Sequence, residues 1–217
     1  MSSTPERNAA KLLHAAALVA LAVIWLAMLL LGGGELDRSV AQALYAGGHP
    51  ALVLAARILT AIGEPTVVIL VGILVAGWLW LRSRARLALA LILVILIGRG
   101  LAEVQKYWVA RPRPDLEPQL AIVKTASFPS GHAANSMILC LALALALASD
   151  ARRRYFAVCA ALLLSFFIGL SRVMLGVHWP SDVIGGWTFG MLWVLLTLRP
   201  AERLFRSSPE PEKISAG

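Results

Sequence analysis

Three short polar stretches contain the residues of this chain that could carry chemistry. They are KYWVARPRP (106–114), FPSGH (128–132) and SRVMLGVHWPSD (171–182). Together they supply cations, two histidines and a carboxylate, among them Lys106, Arg113, Arg172, His132, His178 and Asp182. Cations of this kind bind phosphate oxygens, and a histidine beside a carboxylate can act as a nucleophile. The set therefore indicates chemistry on a phosphorylated ligand.

The FPSGH stretch has the features of an anion site at the start of a helix. Ser130 fits the N-cap position, with Gly131 and His132 in the first turn of the apolar run that follows. The free backbone N–H groups of a first turn, together with the helix dipole, favour a bound anion. Gly131 lets a phosphate approach the backbone closely, because glycine has no Cβ. By itself the stretch is also typical of a simple helix-starting turn, so its weight depends on its neighbours.

His178 and Asp182 are four residues apart, with Pro180 well placed near a helix start. In a helical turn this spacing brings the carboxylate within reach of one imidazole nitrogen. The carboxylate would fix the tautomer and raise the basicity of the other nitrogen, which prepares a nucleophilic histidine. An H-x-x-x-D spacing is common in helices, and a lone outer cation usually lies at the membrane interface. What favours a site is the combination of all three stretches.

The apolar composition of the chain decides what kind of scaffold positions these residues. Of its 217 residues, 59% are hydrophobic and 15% are charged, and the mean hydropathy is +0.77. Soluble domains carry about 25% charged residues, so the composition predicts an integral membrane protein. The formal net charge is +8, but the cations lie in short clusters between apolar runs, as in cytoplasmic loops. This pattern argues against a nucleic-acid-binding protein.

Six apolar runs are candidates for crossing a bilayer, which takes about 20 helical residues. They are 12–31, 66–81, 87–102, 133–148, 156–170 and 183–198. The first run is too long and too uniformly apolar for the core of a signal peptide, so we expect it to be a retained span. The predicted fold class is all-α, an integral membrane six-helix bundle.

Two shorter segments do not fit a span. The run 50–63 is apolar but short and contains Arg57, and 38–46 is a short amphipathic stretch. A run of that length is more often interfacial or re-entrant than spanning. We expect both segments to form short interfacial helices on one membrane face, the outer one, and 50–63 could also be re-entrant.

The distribution of lysine and arginine predicts the orientation. With both termini in the cytoplasm, twelve of the twenty cations lie inside, in clusters beside the ends of spans. These twelve are Arg7, Lys11, Arg82, Arg84, Arg86, Arg152, Arg153, Arg154, Arg199, Arg203, Arg206 and Lys213. The three polar stretches then share the outer, periplasmic face of an inner (plasma) membrane.

This orientation divides the chain into three parts. Residues 1–11 form a cytoplasmic N-terminus, 12–199 a six-span membrane domain, and 200–217 a cytoplasmic tail that we expect to be disordered. The two cysteines, Cys140 and Cys159, both lie inside apolar runs. We therefore expect no disulfide framework and no metal site of the C-x-x-C kind. We also expect no metal and no cofactor in the site.

The three stretches, in this order and without gaps, resemble the signature of the type 2 phosphatidic acid phosphatase family. The matching patterns are Lys106-x6-Arg113-Pro114, Pro129-Ser130-Gly131-His132 and Ser171-Arg172-x5-His178-x3-Asp182. This family also includes vanadium haloperoxidases and bacterial acid phosphatases. The resemblance covers about residues 10 to 200, and it implies a six-helix membrane enzyme that dephosphorylates lipid phosphates without a metal.

The resemblance also implies a role for each residue of the site. Lys106, Arg113 and Arg172 would hold the phosphate oxygens, with Ser130 and the Gly131 amide completing the phosphate site. His178 would attack phosphorus and form a phosphohistidine, oriented by Asp182. His132 would protonate the departing lipid oxygen, after which water hydrolyses the intermediate. This agrees with phosphoryl transfer being largely a matter of positioning and charge compensation.

Some features near the site keep alternatives open. Arg99 and Glu103 could form an ion pair facing the bundle, or they could hold Lys106 in place. Arg111 matches no position of the signature, and it could be an auxiliary contact or an anchor at the membrane interface. The Gly186-x-x-x-Gly190 pattern predicts close helix packing.

Two other functions are weighed against a lipid phosphatase. The haloperoxidases are soluble, which disagrees with this apolar chain. A polytopic transporter or lipid-binding protein would explain outer cations that bind anionic headgroups, but not the set of His132, His178 and Asp182. The expected substrates are phosphatidate, phosphatidylglycerophosphate, undecaprenyl diphosphate or the phosphates of lipid A, and neither the choice among them nor the oligomeric state is readable from the sequence.

Overall fold

The structure is a computed structural model, and it describes residues 4–206, which form eight α-helices. They are α1 (Thr4–Leu31), α2 (Glu35–Leu44), α3 (Pro50–Ile62), α4 (Pro65–Leu81), α5 (Ala85–Val109), α6 (Gly131–Leu147), α7 (Ala151–Met174) and α8 (Pro180–Arg206). The all-α prediction is thus confirmed for the described residues.

Several helix starts follow from the local sequence. Pro50, Pro65 and Pro180 open α3, α4 and α8, where the missing proline N–H is no loss. Asp150 caps α7, because its Oδ1 accepts a hydrogen bond from the Arg153 backbone N–H at 2.8 Å. These signals fix where the apolar helices begin, and therefore which residues lie at their ends.

Four of the helices are long and apolar enough to cross a membrane: α1, α5, α7 and α8. The pair α3 and α4 is bent by 43° at a short break, and if the pair counts as one span the total is five. Helix α6 is apolar but has 17 residues, a length of about 26 Å. The number of spans that length and composition support is therefore four to five, where we expected six.

Helix α6 lies at the centre of the bundle, which explains why it is short and almost entirely buried. It packs against α4, α5, α7 and α8, and α1 packs against α8. The contact with α8 is close at Gly186 and Gly190. A Cβ on Gly186 would lie 2.7 Å from the Ser130 carbonyl oxygen, and one on Gly190 would lie 3.0 Å from the Ala134 carbonyl oxygen. The prediction that this glycine pair serves helix packing is therefore confirmed.

The outer surface of the bundle is strongly apolar. Leu12, Leu31, Leu74 and Leu81 are all more than two-thirds exposed. In a hydrocarbon environment such side chains contact lipid, and each helix satisfies its own backbone hydrogen bonds. The exposed apolar surface accordingly fits a membrane-embedded bundle.

The segments around the ends of α5, α6, α7 and α8 converge at one end of the bundle. Helix α5 ends at Val109, its C-cap residue Ala110 has a left-handed backbone (φ 47°), and a long irregular connector leads from there to α6. Helix α3 packs against α7, and Ala56 contributes to an apolar cluster with Leu175 and Val177. Helix α3 thus lies at the same end as the polar stretches.

The C-terminal boundary differs from our expectation. Helix α8 continues to Arg206, so helical structure extends into the range 200–217 that we expected to be a disordered tail. The helix runs without a break from the apolar run 183–198 to Arg206, although Pro200 has no backbone N–H to donate to the preceding turn. The predicted tail residues 207–217 lie outside the described part of the chain.

Candidate active site

The three polar stretches meet at one end of the bundle. Lys106 comes from the last turn of α5, Arg172 from the last turn of α7, and Ser130 is the N-cap of α6. The charged or titratable neighbours that act electrostatically on His132 include Arg172, His178, Lys106 and Arg113. The structure therefore brings together residues that are up to 72 positions apart in the sequence.

His178 precedes α8 and faces the Asp182 carboxylate in the first turn of that helix. Its Nδ1 lies 3.5 Å from Asp182 Oδ2 and 3.4 Å from Ser127 Oγ. The same Oδ2 accepts a hydrogen bond from the Trp179 backbone N–H at 2.9 Å. Asp182 is at position N3 of α8, and its side chain accepts from the N-cap N–H, as the N3 residue of a capping box does. This geometry holds its carboxylate beside the imidazole.

The contacts of His178 fix its tautomer. Its Nε2 lies 3.1 Å from Arg113 Nη1, and a guanidinium group can only donate hydrogen bonds. Nε2 must therefore be the accepting nitrogen, and Nδ1 carries the proton that faces Ser127 and Asp182. The unprotonated Nε2 thus faces the cation that would hold a phosphate, which is the arrangement that a nucleophilic histidine requires.

His178 is almost fully buried, with 2% of its surface exposed. Burial lowers the pKa of the imidazole to about 3, against the opposing effect of the Asp182 carboxylate. The neutral form, which has a lone pair on Nε2, consequently predominates at neutral pH. Burial also lowers the pKa of the Arg113 guanidinium, which Asp182 opposes, and an arginine stays charged under these conditions.

Lys106 and Arg113 lie on the two sides of Thr125. Thr125 Oγ1 accepts hydrogen bonds of 3.4 Å from Lys106 Nζ and from Arg113 Nη2, and the Thr125 carbonyl accepts one of 2.8 Å from Arg113 Nε. A Cβ on Gly131 would lie 3.2 Å from Lys106 Nζ. Lys106 therefore lies directly over the Gly131 backbone, as expected of two parts of one phosphate site.

Two buried donors at the site have no hydrogen-bond partner among residues 4–206. They are Ser130 Oγ and Arg172 Nε. Buried polar groups nearly always have a partner, so these donors fit the oxygens of a bound anion. The Arg172 guanidinium is positioned from its other side, because its Nη1 donates to Thr60 Oγ1 at 2.5 Å.

His132 lies in the first turn of α6 and contacts a residue that the sequence analysis did not include. Its Nε2 is 3.2 Å from Glu64 Oε2. Glu64 precedes Pro65 at the break between α3 and α4. Within the described residues the side chain of His132 is 14% exposed and that of Glu64 is 53% exposed, so the pair lies at the rim of the site.

Two further residues around Asp182 and the cations, Ser127 and Thr125, were missed, and Arg111 was left open between an auxiliary contact and an interface anchor. Arg111 Nη1 lies 2.8 Å from Asp182 Oδ1, and Ser127 Oγ donates a hydrogen bond to Asp182 Oδ2. Thr125 joins the two phosphate-site cations. Arg111 lies within one of the quoted stretches, but nothing in its spacing assigned it a partner. Ser127 and Thr125 lie in the polar connector before Phe128, where the sequence carries no periodic signal.

The contacts of Glu103 distinguish an ion pair between Arg99 and Glu103 from a role in holding Lys106. Its Oε1 lies 3.9 Å from Lys106 Nζ, one turn along α5, whereas Arg99 Nη1 is buried without a hydrogen-bond partner in the described residues. This favours Glu103 as a residue that holds Lys106.

Among residues 4–206, no group of three or more histidine, cysteine, aspartate or glutamate side chains is arranged to hold a metal ion.

The sequence model of the PAP2 superfamily matches residues 85–206, which is more than half of the chain and includes all three polar stretches. The chain belongs to the PAP2 superfamily. This membership confirms the family resemblance on which the site residues were chosen. Together with the long apolar helices, this membership identifies the chain as a membrane-embedded, multi-pass protein.

Two relatives illustrate where the similarity lies. Phosphatidylglycerophosphatase B of Bacillus subtilis is 34% identical over 112 residues, which cover 50% of this chain and 55% of that protein. Undecaprenyl-diphosphatase of Sulfolobus acidocaldarius is 38% identical over 102 residues, which cover 43% of this chain and 45% of that protein. In these alignments, the PAP2 chain spans about half the length of the curated relatives it matches.

A solved structure extends the similarity to nearly the whole fold. The crystal structure of a transmembrane PAP2-type phosphatidylglycerolphosphate phosphatase from Bacillus subtilis superposes with a TM-score of 0.77 at 26% sequence identity. The superposition covers 88% of this chain and 98% of that chain. The arrangement of helices around the polar stretches is therefore shared with a PAP2 membrane phosphatase.

Proposed function

We propose that this PAP2 chain is an integral membrane lipid phosphatase that hydrolyses a phosphomonoester or diphosphate of a lipid through a phosphohistidine. The observation that carries the proposal is the contact between His178 Nε2 and Arg113 Nη1 at 3.1 Å. It places a nucleophilic lone pair next to a phosphate-binding cation. The relatives named phosphatidylglycerophosphatase B and undecaprenyl-diphosphatase support the same reaction class.

In the first step the lipid phosphate binds among the cations and His178 attacks it. Lys106, Arg113 and Arg172 compensate the charge on the phosphate oxygens, and the Ser130 hydroxyl and the Gly131 N–H donate to them. A bond forms between His178 Nε2 and phosphorus while the bond from phosphorus to the lipid oxygen breaks. His132, in its protonated form, transfers a proton to that departing oxygen. Asp182 stabilises the positive charge that develops on the His178 ring.

In the second step water replaces His178 on phosphorus. The neutral His132 accepts a proton from the attacking water, the phosphorus–nitrogen bond breaks, and inorganic phosphate leaves. His178 returns to its neutral form with the proton on Nδ1. The chain's own residues supply each charge and each proton in this scheme, so we expect turnover without a metal ion or other cofactor.

The proposal includes a topology. Six spans within residues 12–199 place residues 1–11 and 200–217 in the cytoplasm and the site at the periplasmic face of the inner membrane, as the cation clusters indicate. A single cysteine introduced at Asp115 should then react with a membrane-impermeant maleimide on intact spheroplasts, whereas one at Arg84 should react only after lysis. Cys140 and Cys159 are replaced by serine beforehand. The reverse labelling pattern would contradict this orientation.

The activity itself is tested by phosphate release from purified protein in detergent with EDTA present. The substrates are phosphatidate, phosphatidylglycerophosphate, undecaprenyl diphosphate and lipid A. We expect release from at least one of them, and a loss of about three orders of magnitude or more in His178→Ala. His49→Ala is the matched control, because His49 is exposed and lies outside the site. A protein that binds or moves these lipids without releasing phosphate would support the transporter alternative instead.

A further inference from the structure

The break between α3 and α4 places a carboxylate on the residue that we assign as the general acid. Glu64 Oε2 lies 3.2 Å from His132 Nε2. The preceding residue, Gly63, is packed so tightly that an added Cβ would overlap Ile168 Cγ2 and would lie 3.5 Å from His132 Cδ2. Thr60, one turn earlier, contacts Arg172. The end of α3 and the start of α4 therefore form one wall of the site.

The local sequence explains why Glu64 faces His132 and not its own helix. Glu64 occupies the N-cap position of α4, and its backbone is extended (φ −58°, ψ 134°), as expected of a residue that precedes a proline. Glutamate is not a preferred N-cap residue, and its side chain makes no cap hydrogen bond within the described residues. The carboxylate is therefore available to His132.

The position of Glu64 has a consequence for the leaving group. His132 is the residue that would protonate the departing oxygen, so the leaving group lies on the side of His132 and Glu64. For a phosphomonoester the leaving group is an uncharged alcohol once it is protonated. For a diphosphate the leaving group is a lipid monophosphate, which carries its own negative charge beside the Glu64 carboxylate. Two like charges a few ångströms apart repel each other appreciably at the surface of a protein.

We propose that Glu64 is a specificity-determining residue that favours lipid phosphomonoesters, whose leaving group is an alcohol, over lipid diphosphates. Glu64 acts in two ways that point in the same direction. Its carboxylate stabilises the protonated form of His132, which an alcohol leaving group needs more than a phosphate does. It also repels the phosphate leaving group of a diphosphate. This inference rests on the proposed function, because it assigns the leaving-group side from the role of His132.

The test compares two substrates that differ only in the leaving group, farnesyl monophosphate and farnesyl diphosphate, in detergent. The measured quantity is the ratio of kcat/KM for the diphosphate to that for the monophosphate. Glu64→Gln should raise this ratio about tenfold, with a lower kcat on the monophosphate. Glu64→Asp keeps the charge and should leave the ratio closer to that of the wild type. A merely structural role of Glu64 would change both substrates equally.

Glu103→Gln is the matched control, because it removes one carboxylate from the other side of the site. Glu103 contacts Lys106, so its loss should change both substrates by similar factors and leave the ratio unchanged. An unchanged ratio in Glu64→Gln, with activity on the monophosphate retained, would overturn the inference while leaving the proposed function intact. Absence of phosphate release from both substrates in the wild type, together with none from the lipid panel, would overturn the proposed function itself.

Discussion

Arg111 Nη1 lies 2.8 Å from Asp182 Oδ1, and both side chains are buried. The guanidinium group also donates to the Met28 and Leu29 carbonyls at 2.9 and 2.7 Å, and it lies 4.5 Å from the centre of the Phe128 ring. Asp182 is thereby held from the α1 side, although Arg111 has no place in the family signature. An ion pair whose guanidinium donates from both terminal nitrogens fixes the geometry of its members.

Replacing Arg111 by lysine should reduce turnover more than substrate binding. Lysine cannot reproduce the several simultaneous hydrogen bonds of the guanidinium group, so Asp182 would no longer hold His178 in one orientation. We expect kcat to fall about 10- to 100-fold, with a small change in KM. Steady-state kinetics of phosphate release measure this, with the exposed Arg38→Lys as the control. A change confined to KM would place Arg111 in substrate binding instead.

The uncharged Ser127 hydroxyl should also help to orient Asp182 and His178. Its hydroxyl contacts both Asp182 Oδ2 and His178 Nδ1. In Ser127→Ala, Asp182 keeps its bonds to Arg111 and to the Trp179 N–H, so we expect a fall in kcat of about tenfold and an intact fold. Ser39→Ala, on the exposed side of α2, is the matched control. Equal kinetics for the two variants would show that Ser127 is dispensable.

The burial of His178 predicts a loss of stability in acid. The pKa of this histidine is about 3 in the folded protein and about 6.5 when the chain is unfolded. Its contribution to stability is complete above pH 6.5 and is lost as the pH falls from 6.5 toward 3. At pH 5 the loss is about 2 kcal/mol.

Thermal unfolding of the wild type and of His178→Gln, compared in detergent at pH 7 and pH 5, measures this contribution. Glutamine cannot bind the proton that the unfolded histidine takes up, so the midpoint of the variant should fall less between the two pH values. The same decrease in both proteins would mean that His178 does not exclude a proton in the folded state.

The contact between α6 and α8 should link helix packing to activity. A Cβ on Gly186 would approach the Ser130 carbonyl at 2.7 Å and the Ala133 Cβ at 3.0 Å, so Gly186→Val must separate the two helices. We expect a destabilisation of about 1–3 kcal/mol and a loss of activity, because Ser130 and His178 lie just before the starts of the two helices that separate. Gly77→Ala is the control, since an added Cβ there meets nothing within 4 Å. A fully active and stable Gly186→Val would contradict the packing account.

The positions of the helices and of the signature residues could largely be predicted from the sequence. Apolar runs, proline starts and the N-cap at Ser130 are local signals, and they place the ends of helices where the chemistry lies. The spacing of His178 and Asp182 likewise predicts their contact. That contact, however, arises from a capping arrangement at the start of α8, with His178 outside the helix.

The remaining parts of the site depend on contacts between distant segments. Glu64 reaches His132 across 68 positions and Thr60 reaches Arg172 across 112, so no spacing rule connects them. Arg111 could be identified as an unassigned cation, but its partner becomes visible only when α1 and α8 are packed together. The expected six spans also could not be checked by length alone, because the central helix α6 is short and shielded by its neighbours.

The most direct test of the account is to trap the phosphoenzyme. Purified protein is mixed with a lipid phosphate labelled with radioactive phosphorus, quenched in denaturant at alkaline pH and mapped by mass spectrometry. We predict an alkali-stable, acid-labile phosphoryl group on His178 Nε2, and none in His178→Gln. Phosphate release that continues in His178→Gln, or a label on a different residue, would contradict the central claim.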